Sequence, residues 1–125
     1  MISIEPQAWA AMLAHAKAAY PKECCGMLVG SADGRVTEAV ACENVYEGDQ
    51  RDRFQIRTDD ILRVQREAHT GGRHLIGFFH SHPDAEAYFS KTDLANASPW
   101  HAHVVLSLQR GEFAGAKAYR VDLDL

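Results

Sequence analysis

The chain has 125 residues, 46% of them hydrophobic and 24% charged, with a formal net charge of −4. One domain spanning residues 1–125 would bury roughly two-thirds of its unfolded surface, and the composition excludes disordered and fibrous classes. The acidic balance, with no basic run, argues against a nucleic-acid partner held by phosphate neutralisation.

The opening Met1-Ile2-Ser3-Ile4-Glu5-Pro6 lacks the charged and apolar regions of a signal peptide. No stretch approaches the length of a membrane span, so the expectation is a cytoplasmic chain with no membrane partner. From Glu5-Pro6 to Tyr20, apolar Trp9, Met12, Leu13, Ala16 and Tyr20 fall at helical spacing, with Pro6 suited to a first turn and Pro21 as a stop. Cys24 to Gly30 is a short apolar run that predicts a buried strand. Arg35 to Cys42 can pair with it across Ala32-Asp33-Gly34. Asn44 to Arg53 reads as a loop and Phe54-Gln55-Ile56 as a brief strand. Thr58 is a good N-cap, followed by Asp59 and Asp60 in the first turn, and the helix runs to Gly71-Gly72 with Ile61, Val64 and Ala68 on one side.

Leu75 to His80 is the next predicted strand and Ser90 to Ala97 a short helix. Ala102 to Leu108 and Ala114 to Val121 are two last strands joined around Arg110-Gly111. This order predicts an α/β or α+β fold: a mixed, largely antiparallel sheet flanked by two main helices, plus a short helix near the C-terminal strands. Cys24, Cys25 and Cys42 form no disulfide framework and no Cys-x-x-Cys pair, so they read foremost as small apolar fillers.

His80-Ser81-His82-Pro83 carries the chemistry. Two imidazoles two residues apart share one face of a strand, about 6.5–7 Å apart along it. Pro83 ends the strand by removing a donor. Two neutral imidazoles and one carboxylate make a set typical of catalytic zinc, with a fourth position for water. His101-Ala102-His103 has the same spacing, but it opens a strand and has no acid after it before Glu112. His15, His69 and His74 read as structural or exposed. Asp84, Glu86 and Asp93 all follow His82 within reach, so spacing leaves the acid open. Ser90-Lys91-Thr92-Asp93 is also a capping-box pattern, a role compatible with ligation because a helix start holds its first-turn side chains firmly. Glu23 has nothing in its surroundings to distinguish it from an ordinary strand-edge carboxylate.

Together these residues resemble the JAMM (MPN-plus) zinc metallopeptidase family, in its compact prokaryotic form. Pro21 to Gly30 is similar to the segment opening that family's first strand. His80-Ser81-His82-Pro83, then the six residues Asp84 to Phe89, then Ser90-Lys91-Thr92-Asp93 matches its His-x-His-Pro…Ser-x-x-Asp signature, and Asn44 and Arg53 to Ile56 resemble its middle section. The resemblance spans roughly residues 4 to 108 and implies a cytidine-deaminase-like MPN architecture. It also implies one Zn2+ per chain on His80, His82 and Asp93, with Glu23 as general base and Ser90 as hydrogen-bond donor to the oxyanion. Zinc lowers the pKa of water from about 15.7 to about 7 and polarises the carbonyl. A general base typically adds about 10²–10⁴-fold.

The short Val45 to Asp52 segment leaves no room for an insertion that clasps a folded ubiquitin. The resemblance therefore implies a peptidase or isopeptidase acting at or near the C-terminal Gly-Gly tail of a ubiquitin-like or sulfur-carrier protein. Two alternatives stand beside it: a non-catalytic MPN interaction scaffold, and a zinc amidohydrolase of small molecules. A cytidine-type deaminase is disfavoured by the missing Pro-Cys-x-x-Cys. No residue pattern specifies an oligomeric state.

Overall fold

A computed structural model describes residues 2–121. Its elements are β1 (Ser3–Ile4), α1 (Pro6–Ala19), β2 (Cys25–Gly30), β3 (Arg35–Cys42), α2 (Thr58–Thr70), β4 (His74–Pro83), α3 (Lys91–Asn96), β5 (Ala102–Gln109) and β6 (Glu112–Tyr119). They build one six-stranded sheet in the order β1-β3-β2-β4-β5-β6. The β2–β3, β2–β4 and β5–β6 pairs are antiparallel, whereas β1–β3 and β4–β5 are parallel. The mixed, largely antiparallel α/β sheet is therefore as expected. Among the described residues, no helix is long and apolar enough to cross a membrane.

Period-two alternation divides the sheet into two faces. Cys24, Leu28, Phe79, Val104, Leu106 and Leu108 pack with Ala8, Met12 and Ala16 of α1. Cys25, Met27 and Val29 face the other way, onto Val64 and Ala68 of α2. Gly77 permits the close approach of β4 to β5, because a Cβ there would stand 2.0 Å from the carbonyl oxygen of Ala102.

Several boundaries differ from the sequence expectation. Phe54 to Ile56 is not a strand. Its amides serve the 44–55 loop instead, where Gln55 N–H bonds Asn44 Oδ1 and Val45 N–H bonds the Gln55 carbonyl. Thr58 is the first helical residue of α2, Arg57 holds the cap position, and no side chain caps it. The strand expected to close at His80 continues to Pro83, because β5 pairs with it through Ser81↔Leu106, His82↔Ser107 and Pro83↔Leu108. The last strand begins at Glu112 and closes at Tyr119, two residues ahead of expectation at each end, set by pairing with β5 beyond a shift at Ser107/Leu108. β1 was not anticipated; two residues carry no periodic signal.

Candidate metal centre

The alternation that builds the core also places the polar residues. Cys25 is the Cα partner of His80 across β2–β4, and Phe78 opposes Met27. Continuing that register by two residues sets Glu23 opposite His82. Glu23, His80 and His82 thus share the α2 face, beyond the point where apolar side chains fill it. All three are buried, at 4%, 3% and 5% exposure. The intervening Ser81 faces the α1 side and ties the two segments together. Its Oγ accepts from Cys24 N–H at 2.8 Å, and its own N–H donates to the Cys24 carbonyl at 3.2 Å.

Asp93 reaches this face from α3. Ser90 Oγ accepts from Asp93 N–H at 3.0 Å, and Ser90 N–H donates to Asp93 Oδ2 at 3.0 Å, so the capping box is formed. The same Oδ2 stands 3.2 Å from His80 Nε2 and 3.2 Å from His82 Nε2. The two imidazole nitrogens are 3.2 Å apart. Capping and convergence therefore coexist in one carboxylate, and the cap uses a lone pair of Ser90 Oγ while leaving its proton to donate.

These three atoms form a nearly equilateral triangle. Donors held at about 2.0–2.1 Å in a tetrahedral array lie about 3.3–3.4 Å from one another, close to the spacing found. Tautomer chemistry agrees. His82 Nδ1 lies 2.9 Å from the Glu86 carbonyl, which only accepts, so Nδ1 carries the proton and neutral His82 directs its Nε2 lone pair inward. In that neutral form the lone pairs of His82 Nε2 and Asp93 Oδ2 converge, an arrangement that a cation relieves; without one, a proton taken up on Nε2 bridges the two as a hydrogen bond. His80, His82 and Asp93 are also a group whose ligating atoms lie within 4.8 Å of one another. The donor set fits zinc.

The electrostatics follow from burial and these contacts. Burial acts to raise the Asp93 pKa, but hydrogen bonds from His80 and His82 outweigh it and hold the carboxyl well below the usual range. Burial lowers His80. It acts on His82 in the same sense but is overcome by the Asp93 and Glu86 hydrogen bonds, so His82 ends raised. Burial pushes Glu23 up to about 8, opposed by His82 and reinforced by the charges of Asp93 and Asp52. Glu23 Oε1 is buried without a hydrogen-bond partner among the described residues. A cation nearby, or a water beside it, would satisfy this carboxylate and favour its ionised form.

The other expected candidates lie elsewhere. Asp84 is held by Tyr20 OH at 2.6 Å and by Arg110 N–H at 2.8 Å. Glu86 contributes its carbonyl to His82. His103 Nε2 bonds the Ser98 carbonyl at 2.8 Å, and His101 Nδ1 lies 2.6 Å from Ser98 Oγ, so the rival pair is engaged with the 98–101 turn. His15 joins α1 to the Cys25 and Cys42 carbonyls. The three cysteines are free and buried, and burial raises each thiol above its ordinary value, consistent with filling space. Tyr88 is half-exposed yet stands edge-on to His82 at 5.0 Å, and Trp100 is exposed.

Two contributors escaped sequence reasoning in their roles. Asn44 uses its whole hydrogen-bonding capacity: Nδ2 donates to the Glu23 and Arg53 carbonyls, and Oδ1 accepts from Tyr46 and Gln55 N–H. It locks the Glu23 backbone to the loop carrying Phe54, whose ring stacks on His80 at 4.5 Å. Local sequence held no signal for either contact, since both depend on a loop folding back on the sheet.

A mixed sheet between two helices, with a His-His-Asp triangle on one face whose spacing fits a metal ion, defines a domain of the JAB1/MPN fold. The chain matches the prokaryotic homologs of the JAB domain over residues 5–122, and it belongs to that family, the compact prokaryotic form of JAMM. It is 31% identical over 110 residues to desampylase from Haloferax volcanii, covering 84% of this chain and 78% of that protein. To the CysO-cysteine peptidase of Mycobacterium tuberculosis it is 31% identical over 97 residues, 77% of this chain and 65% of that protein. Its fold is similar to that of a JAB1/MPN domain protein from Archaeoglobus fulgidus, with a TM-score of 0.64 and 20% identity over 95% of this chain and 89% of that one.

Proposed function

We propose that this protein is a zinc-dependent peptidase or isopeptidase cleaving at or near the C-terminal Gly-Gly tail of a ubiquitin-like or sulfur-carrier protein. The observation that carries the reading is the 3.2 Å triangle of His80, His82 and Asp93 with the partnerless Glu23 carboxylate on the same face. The names of two relatives, desampylase and CysO-cysteine peptidase, support the substrate class.

In this reading His80, His82 and Asp93 hold the ion, with His82 fixed by Glu86 and Asp93 by the cap. Zinc supplies Lewis acidity, drawing electron density from a carbonyl and making water more acidic. Glu23 takes the proton of the attacking water and returns it to the departing amine. Its buried site favours proton uptake, and a nearby cation favours ionisation. The Ser90 hydroxyl donates a hydrogen bond to the oxygen of the attacked carbonyl as negative charge develops there.

The test joins metal analysis to product analysis. Purified, unchelated protein is expected to hold one zinc per chain, and Asp93→Asn to lose affinity for it. Mass spectrometry of Gly-Gly-tailed carriers with C-terminal adducts is expected to show trimming by the parent and none by Glu23→Gln. Absence of stoichiometric metal, or equal trimming by Glu23→Gln, would end this reading.

A further inference from the structure

A cavity of about 420 Å³ opens beside the centre, with His80 and Asp93 in its lining. At roughly 30 Å³ per water, that is space for about fourteen, far more than a glycine tail fills. Phe54, Ile61, Phe78 and Phe89 make its walls apolar. Phe54 stacks on His80, so the cavity begins where a scissile bond at the centre would lie. The charge at its edge is specific. Arg53 is the one Lys or Arg of the lining, is exposed, and takes part in none of the ion pairs among the described residues. Asp52, also in the lining, acts on the Glu23 charge.

These features separate the two sides of a substrate. The acyl side of a Gly-Gly tail has no side chain to place in an aromatic-walled space. A residue on the leaving side does. If that residue is the last of its chain, its nitrogen is acylated and its carboxylate is its one backbone charge, which calls for a cation. A lysine joined through its side chain brings no carboxylate at that place.

We propose that this cavity receives the leaving residue, and that it selects a bulky apolar or aromatic C-terminal residue whose free carboxylate is bound by Arg53. The inference rests on the hydrolase reading above and narrows it to release of a single terminal residue. In the balanced step, the oxygen of water bonds to the glycine carbonyl carbon and the C–N bond breaks. A proton from that water leaves with the nitrogen. The products are the free amino acid and a carrier ending in a Gly-Gly carboxylate.

The test uses the full zinc-loaded chain and a Gly-Gly-tailed sulfur carrier extended by Phe, by Phe carboxamide, by Gly, or by a lysine joined through Nζ. Phe is expected to exceed Gly in kcat/KM by about 10- to 100-fold, the effect of burying one large apolar side chain. Amidation is expected to cost about tenfold or more, from loss of a hydrogen-bonded charge. In Arg53→Ala the acid and amide become equal while the preference for Phe over Gly remains, because the two effects have separate sources. A second readout is calorimetric binding of N-acetyl-Gly-Gly-Phe, its amide and its Gly analogue to Glu23→Gln, with and without Arg53→Ala; the same order is expected. Hydrolysis of all extensions at one rate, or fastest cleavage of the lysine conjugate, would overturn the pocket and leave the hydrolase reading standing. Selective binding without hydrolysis by the parent would overturn the hydrolase reading, and the leaving-side assignment with it.

Discussion

Replacing Glu23 by Gln in the metal-free protein tests the burial of this carboxyl directly. Its pKa rises from 4.5 to about 8, with burial the leading cause. Between those values the unfolded chain has released the proton and the folded chain still holds it. Folding therefore binds a proton, and stability falls as pH rises across that window. The slope is about 1.4 kcal/mol per pH unit, so the loss attributable to Glu23 from pH 5 to pH 7 is about 2–3 kcal/mol. Gln has nearly the shape of the protonated acid and does not titrate. Urea unfolding of the chelator-treated parent and of Glu23→Gln at pH 5, 6, 7 and 8 isolates the term, because the other titrating groups are common to both. The difference in unfolding free energy is expected to grow with pH in favour of Gln, levelling off above about pH 8. Zinc is expected to flatten that difference, since a nearby cation favours the ionised carboxylate. Parallel stability curves for the two proteins without metal would refute the burial argument.

Ser90 has two separable duties. Ser90→Ala is expected to cost about 1 kcal/mol of stability through the lost cap and Ser90→Gly only a few tenths, while both lose roughly 10²–10³ in turnover if the hydroxyl serves the oxyanion. Equal turnover by Ser90→Gly and the parent would remove that role. Asn44→Ala leaves the Glu23 and Arg53 carbonyls without their side-chain donor, and a cost of roughly 2–4 kcal/mol is expected. Thermal melts alongside kcat measure it, and a loss under 0.5 kcal/mol would show that the 44–55 loop holds itself.

The strands and helices were legible because their periods are local properties. Met12 and Ala16 repeat at helical spacing, and the Cys24 to Gly30 run is bounded by a turn, whatever surrounds them. His80 and His82 were legible as a pair for the same reason, since two residues along a strand return to one face. The Ser90-Lys91-Thr92-Asp93 cap was legible because a capping box lies within four residues.

Whatever depends on a distant partner was not legible. Spacing offered Asp84, Glu86 and Asp93 alike. Choosing among them required Tyr20 and Arg110 to hold Asp84, the Glu86 backbone to turn toward His82, and α3 to carry Asp93 Oδ2 to both imidazoles. Glu23 looked like any edge carboxylate until the β2–β4 register set it opposite His82 and burial raised its pKa. Phe54 left the expected strand because the backbone around it bonds to Asn44, a residue earlier in the chain. By itself the chain order determined the main strands and helices and, within each, which side chains share a face. Only the tertiary structure decided which acid meets the histidines and what fills the space beside them, because convergence is a property of separate segments packed together and no local period encodes it.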